Sequence, residues 1–147
     1  MAGLRFVLVF ALFLIFSDFV AHKCLKMPIG RLKPRVNGII PNFYQALSFP
    51  SSHAFNMVFA WSLMRFAVNA QPFSAERKRL KPFLFAALPV IFLVSWSRIA
   101  LNEHYPLDVL GGWILGALFA KLLSSYFFRA LAFVTKKMGA SNKAEVH

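Results

Sequence analysis

The sequence predicts an all-α polytopic membrane bundle of about four transmembrane helices. Three observations carry that reading. Of the 147 residues, 59% are hydrophobic and 15% are charged, whereas soluble domains carry roughly 25% charged residues. The apolar residues gather into four stretches. The charges are one-sided, with 17 Lys or Arg against 5 Asp or Glu for a formal net charge of +12. The same composition excludes other classes. A disordered chain needs low hydrophobicity. A soluble basic nucleic-acid binder does not carry 18 Phe and long charge-free runs, so no nucleic-acid partner is expected. One cysteine, Cys24, excludes a disulfide framework and a cysteine-rich zinc site.

The four stretches are taken in order. Phe6 to Phe16 is wholly apolar between Arg5 and Ser17-Asp18. It reads as a retained helix rather than a cleaved signal, because Val20-Ala21-His22-Lys23 offers no small-x-small site. The second stretch runs from about Ala54 to Ala70, the third from Phe83 to Trp96, and the fourth from about Leu107 to Phe128. A bilayer core needs ~20 residues at a rise of about 1.5 Å. The second and fourth reach that length, and the first and third reach it with their flanks. Residues 1–140 form one membrane-embedded domain in this reading, and 141–147 a polar, frayed tail.

Four spans put both termini and the linker Gln71–Lys81 on one side. That side holds Arg5, Arg77, Lys78, Arg79, Lys81, Arg129, Lys136, Lys137 and Lys143. The other holds Lys23, Lys26, Arg31, Lys33, Arg35 and Arg98. Nine against six favours cytoplasmic termini under the positive-inside tendency. Arg65 and Lys121, deep in the second and fourth stretches, read as snorkelling inward or pairing within the bundle.

Helix parity brings the unusual polar residues to the opposite face. Asp18, Lys26 and Lys33 follow the first span, and Pro50-Ser51-Ser52-His53 precedes the second. Ser97-Arg98 ends the third, and His104 and Asp108 open the fourth. Lys26, Lys33 and Arg98 supply fixed cations. Ser51 and Ser52 precede a helix, where hydroxyls and free N–H groups bind anions. If the fourth helix begins near Pro106, Asp108 lies in its first turn and can reach back to the His104 imidazole. A carboxylate on one ring nitrogen fixes the tautomer and leaves the other as base or nucleophile. The set suits transfer of a doubly charged oxyanion, most simply a phosphoryl group. Taken singly, each feature has a plainer account: span-end cations are usually interface anchors, and Ser-Ser before a helix is usually a cap. Two His and an Asp could also hold a metal, but three nearby cations disfavour one. Residue types alone do not decide whether His53 or His104 attacks.

These residues match a known pattern. Ser97-Arg98, five residues, His104, three residues and Asp108 complete the motif S-R-x5-H-x3-D. Pro50-Ser51-Ser52-His53 resembles P-S-G-H with Ser52 at the glycine position. Lys26, six residues and Lys33-Pro34 resemble K-x6-R-P with Lys at the arginine position. In that order the chain resembles the type-2 phosphatidic acid phosphatase superfamily, which includes bacterial acid phosphatases and vanadium haloperoxidases. The resemblance covers Lys26 to Asp108. It implies a metal-independent phosphatase without cofactor. His104 is then the nucleophile forming a phosphohistidine, Asp108 its orienting carboxylate, and His53 the general acid and then base. Lys26, Lys33, Ser51, Arg98 and the backbone near Ser52 form the phosphate cradle. Lys33 keeps the charge but loses the planar fork of arginine, and Ser52 adds a Cβ where backbone approaches ligand.

The resemblance implies six core helices, two of them before the first motif, whereas here only one span precedes Lys26. The expectation is therefore a short form completed by partner helices or a second copy, or a chain preceded by further sequence. The expected activity is hydrolysis of a lipid phosphate: phosphatidic acid, phosphatidylglycerol phosphate, a lipid A phosphate, or undecaprenyl diphosphate, placed slightly ahead. A phosphotransferase using the same site and a non-catalytic lipid-binding or assembly subunit are the alternatives. The expected location is a bacterial inner membrane, with the site facing the periplasm.

Overall fold

The computed structural model describes residues 2–34, 46–70 and 74–144. Arg35, the start of the Gln71–Lys81 linker and the end of the polar tail lie outside them. Among the described residues the chain is all-helical, with one isolated antiparallel bridge between Leu32 and Leu47. The first helix, α1 (Ala2–Phe19), continues as a π-helical segment (Val20–Lys26) and a last turn, α2 (Met27–Ile29). Then follow α3 (Ser52–Asn69), α4 (Ser74–Ala100) and α5 (Pro106–Ala144).

The helices outrun the apolar stretches that announce them, because polar ends can stay helical where they leave the hydrocarbon. Lys26 therefore sits on helix rather than beyond it. The expected linker is also shorter: Ser74 already begins α4, so Arg77, Lys78, Arg79 and Lys81 ride on a helix end. Pro82 and Pro89 lie within α4 without ending it.

Among the described residues, three helices are long and apolar enough to cross a membrane, over Leu4–Ile29, Arg77–Ala100 and Pro106–Lys136. The fourth, α3, is the central helix and is less apolar. It buries Ser52, Ser62, Phe55, Phe59 and Leu63 against its neighbours. A helix surrounded by protein can carry hydroxyls that lipid would not tolerate. The outer helices show the converse, exposing Leu12, Ile15, Phe83, Phe85, Leu93 and Phe133. The chain is an integral membrane protein.

Packing brings α1, α3 and α5 into one core. Val9, Phe59, Leu63, Ala67, Ala120 and Phe127 form its buried centre. Phe127 takes the edges of Phe6, Phe10 and Phe13, with ring centroids 5.3–6.4 Å apart, in the T-shaped geometry aromatic pairs favour. At the outer end, α3 and α5 approach more closely still. A Cβ on Gly112 would stand 2.8 Å from Ser51 O, and one on Gly116 2.4 Å from Phe55 O. Gly112-x-x-x-Gly116 is thus the small-residue face that lets two membrane helices touch backbone to backbone.

That contact sets the site, because it ties the start of α3 to the start of α5. Ser51 N donates to Asp108 O at 2.9 Å. The chain from α2 is clasped to the same place. Gly30 turns it in the left-handed region at φ 65°. Lys33 N then donates to Ala46 O at 2.9 Å, and Ser48 N to Arg31 O at 2.6 Å.

Candidate active site

A cavity of about 460 Å³ opens at the end of the bundle where α3 and α5 begin. It is lined by Asp18, His22 and Lys26 from the first helical rod, Lys33 from the clasp, and Ser52, His53, Asn56 and Met57 from α3. Glu103 and His104 come from the turn before α5. Five of the eight residues expected from sequence therefore share one cavity: Lys26, Lys33, Ser52, His53 and His104. Asp108 stands behind His104, fully buried. Ser51 and Arg98 do not line the cavity, but Ser51 adjoins Ser52 and the Arg98 carbonyl accepts bonds from the backbone of Glu103 and His104.

The α4–α5 turn positions His104. Glu103 N and His104 N both donate to Arg98 O, at 3.0 and 3.2 Å. Asn102 takes the left-handed conformation at φ 53°, which asparagine tolerates better than most residues. The expected helix start at Pro106 is met, and Asp108 falls in its first turn. The expected direct bond between carboxylate and imidazole is not. Asp108 Oδ2 lies 3.8 Å from His104 Nδ1, beyond hydrogen-bond reach. Ser48 fills the gap. Its hydroxyl donates to Asp108 Oδ2 and lies 3.4 Å from His104 Nδ1. Asp108 accepts two further bonds: Tyr105 N donates to Oδ2 at 2.8 Å, and Arg31 Nη1 to Oδ1 at 3.1 Å. The Arg31 guanidinium also stacks 4.3 Å from the centre of the Tyr105 ring.

Sequence reasoning missed Ser48 and Arg31. Ser48 belongs to none of the three motifs, and only the clasp between Arg31 and Ser48 delivers it. Arg31 stands two residues before Lys33 and had been counted only as an outside charge. Its guanidinium serves the carboxylate behind the imidazole, so it does not replace the fork that Lys33 lacks.

The electrostatics favour a neutral imidazole beside fixed cations. Burial, then the Lys26 and Lys33 ammonium groups, hold His104 down at about 4, against a smaller opposing pull from Asp108 and Glu103. At neutral pH its nitrogen lone pair is therefore free, and its contact with Asp108 is dipolar rather than an ion pair. Lys26 is buried and donates to Leu47 O at 3.5 Å. Lys33 Nζ donates to Glu103 Oε2 at 3.1 Å. That hydrogen bond, the largest influence, holds the Glu103 carboxyl below its usual range.

Three donors near the cavity are buried without a partner: Ser51 Oγ, Ser52 Oγ and Arg98 Nε. Buried polar groups are normally satisfied, so this set is complementary to an oxygen-rich anion. Among the described residues no three His, Cys, Asp or Glu side chains gather as a metal site would require. Asp18 lies 3.4 Å from His22 Nδ1 and also accepts a 2.6 Å bond from Asn56 Nδ2. Arg65 is exposed and lies 5.7 Å from the centre of the Trp61 ring. Cys24 is a free, exposed thiol.

Comparison with known proteins bears on the family and the fold. The PAP2 superfamily model matches residues 4–132. The chain is 31% identical over 125 residues to phosphatidylglycerophosphatase B of Bacillus subtilis (strain 168), covering 84% of this chain and 57% of that protein. Its fold is similar to the crystal structure of a transmembrane PAP2-type phosphatidylglycerolphosphate phosphatase from Bacillus subtilis. The TM-score is 0.56 and the identity 32%, over 91% of this chain and 59% of the other. The chain thus spans less than two thirds of either relative. With the family model reaching across nearly all of the described helices, and with Lys26, His53 and His104 around one cavity, the chain belongs to the PAP2 superfamily, that of the type-2 phosphatidic acid phosphatases.

Proposed function

We propose that the chain is a lipid-phosphate phosphatase that works without a metal, through a phosphohistidine on His104. The observation that carries the proposal is the set of unpartnered donors, Ser51 Oγ, Ser52 Oγ and Arg98 Nε, beside a cavity lined by two lysines and three histidines, His53 and His104 among them. In the first step the free ring nitrogen of His104 attacks phosphorus. The N–P bond forms as the P–O bond to the lipid breaks, and His53 gives its proton to the leaving oxygen. Ser48 holds the other ring nitrogen, and the Asp108 carboxylate behind Ser48 stabilises the positive charge that the ring acquires. In the second step His53 takes a proton from water, the water oxygen attacks phosphorus, and the N–P bond breaks to release phosphate. Lys26, Lys33, Ser51, Ser52 and Arg98 stabilise the charge on the non-bridging oxygens throughout.

The substrate is a phosphate carried by a membrane lipid, since the cavity opens at the end of the spans where headgroups lie. The two Bacillus relatives are named for phosphatidylglycerol phosphate, and that support places it ahead of undecaprenyl diphosphate. We read the termini as cytoplasmic and the site as facing the periplasm of a bacterial inner membrane; the nine-to-six bias of basic residues supports that orientation. The test is phosphate release by the chain purified in detergent, with chelator present. His104→Ala should abolish release and trapping of a labelled phosphoenzyme. Equal release by wild type and variant on every lipid phosphate offered would overturn the proposal. Labelled phosphate appearing on a second lipid or sugar would favour the transferase.

A further inference from the structure

The cavity has a second chemistry that phosphate binding does not use. Lys26, Lys33, His53 and His104 suit an anion, but Asp18, Asn56 and Glu103 line the same space. Glu103 is bonded to Lys33 at 3.1 Å, whereas Asp18 has His22 Nδ1 at 3.4 Å and no lysine or arginine within ion-pair reach among the described residues. A carboxylate accepts hydrogen bonds and donates none, and it repels a phosphate. Asp18 is also held in place. Asn56 Nδ2 donates to its Oδ1 at 2.6 Å, and the other edge of the same amide, Asn56 Oδ1, lies 3.0 Å from the hydroxyl of buried Ser17. Even so, the Asp18 side chain stays 54% exposed, so it retains acceptor capacity toward the cavity.

Position gives this pair a role. Along α3 the cavity residues Ser52, His53, Asn56 and Met57 pass directly into an apolar groove of about 560 Å³. Met57, Ala60, Trp61, Met64 and Val68 line its α3 wall, and Met57 belongs to both spaces. On α1, running the other way, Asp18 faces the cavity and Phe10, two turns earlier, faces the groove. A lipid with its phosphate at His104 and an acyl chain in the groove must pass Asp18 and Asn56. They stand about one helical turn, roughly 5 Å, below His53. The substrate segment at that depth lies between the scissile phosphate and the tails.

We propose that Asp18, oriented by Asn56, is a subsite for a hydroxyl group on the spacer between the scissile phosphate and the lipid tails. It favours a phosphate carried on a free polyol such as glycerol, whose hydroxyl donates to the carboxylate. It disfavours a phosphate on a fully esterified glycerol, which has no donor there, and a diphosphate, whose inner phosphate would meet Asp18. This rests on the lipid-phosphatase reading and names the substrate class within it.

The test compares phosphatidylglycerol phosphate with phosphatidic acid of identical acyl chains in the same detergent micelles, for wild type, Asp18→Asn and His104→Ala. The amide of Asp18→Asn keeps the size and a hydrogen bond to Asn56 while losing the charge. The ratio of kcat/KM on phosphatidylglycerol phosphate to that on phosphatidic acid should fall about 10-fold, as expected for losing a hydrogen bond to a charged acceptor. Turnover of a prenyl diphosphate should rise relative to both. A ratio unchanged from wild type, whether both rates fall or neither does, would overturn the subsite and leave the phosphatase reading standing. Undiminished phosphate release by His104→Ala on both lipids would instead remove the phosphatase reading, and the subsite with it.

Discussion

Gly116→Ala adds one methyl group at the helix contact that aligns the two halves of the site. A Cβ there would lie 2.4 Å from Phe55 O, 3.2 Å from Phe55 C and 3.3 Å from Phe55 Cα. All three are backbone atoms of α3, so no side-chain rotation can clear them. Real Cβ contacts essentially never fall below 3.0 Å. The helices must therefore part or slide by at least 0.6 Å, the difference between 3.0 and 2.4 Å. His53 rides on α3, while His104 and Asp108 are fixed to the start of α5, so the shift falls directly between the two histidines. It would also stretch the 2.9 Å bond from Ser51 N to Asp108 O to roughly 3.5 Å, the edge of hydrogen-bond reach. Misplacing catalytic groups by about 1 Å costs on the order of 100-fold in rate, so a shift of this size predicts a loss in kcat of about 10-fold or more. Overpacking adds about 1–3 kcal/mol of destabilisation. Gly111→Ala is the control. Its Cβ would lie 2.5 Å from the ring edge of Phe49, a side chain that can swing away. Initial rates of lipid phosphate hydrolysis and thermal midpoints in detergent measure both effects. If Gly116→Ala keeps kcat within twofold, or Gly111→Ala is the more damaging, close contact of α3 and α5 does not set the site.

Three further outcomes are expected. Folded His104 resists protonation down to about 4, whereas an unfolded histidine takes up a proton near 6.5. The folded state therefore loses stability relative to His104→Gln as pH falls from 6.5 toward 4, and parallel thermal midpoints across that window would show the ring is not shielded. Arg31→Leu leaves the fully buried Asp108 without its cation, which should destabilise by about 2 kcal/mol. Arg31→Lys should recover part of that loss, and a denaturation curve superimposed on wild type would refute the role. Ser48→Ala removes the hydroxyl between Asp108 and His104 and should lower kcat about 10-fold with little change in KM; a change confined to KM would place Ser48 in substrate binding instead.

How far the sequence could be read depends on what kind of constraint each residue answers to. The spans were legible because a membrane demands long apolar runs, and their flanks set the level at which Lys26, His53 and His104 appear. α3 was legible as a helix but not as the buried one. Hydropathy sees Ser52, Asn56 and Ser62 as interruptions of a lipid-facing helix, while packing buries Ser52 and Ser62 inside the bundle and turns Asn56 to the cavity. Motif spacing located His104 and Asp108 because both lie on one continuous turn and helix. It could not locate Ser48, 56 residues from His104 along the chain, because no local rule ties a residue before α3 to one before α5.

The same distinction explains Arg31 and Lys33. The spacing from Lys26 puts Lys33 where the family pattern has arginine, and Arg31, two residues away, carries a guanidinium that could supply the missing fork. The clasp forbids it. Pairing of Leu32 with Leu47 fixes the alternation of this segment, and flanking bonds hold Lys33 to Ala46 and Arg31 to Ser48. Arg31 is thereby delivered to Asp108, and Lys33 to the cavity and Glu103. Lys33 keeps a charge that can turn toward a phosphate, with Glu103 as its partner until one arrives. An arginine at 31 thus strengthens the support behind the imidazole without restoring bidentate grip in front of it, two functions that residue type alone would have merged.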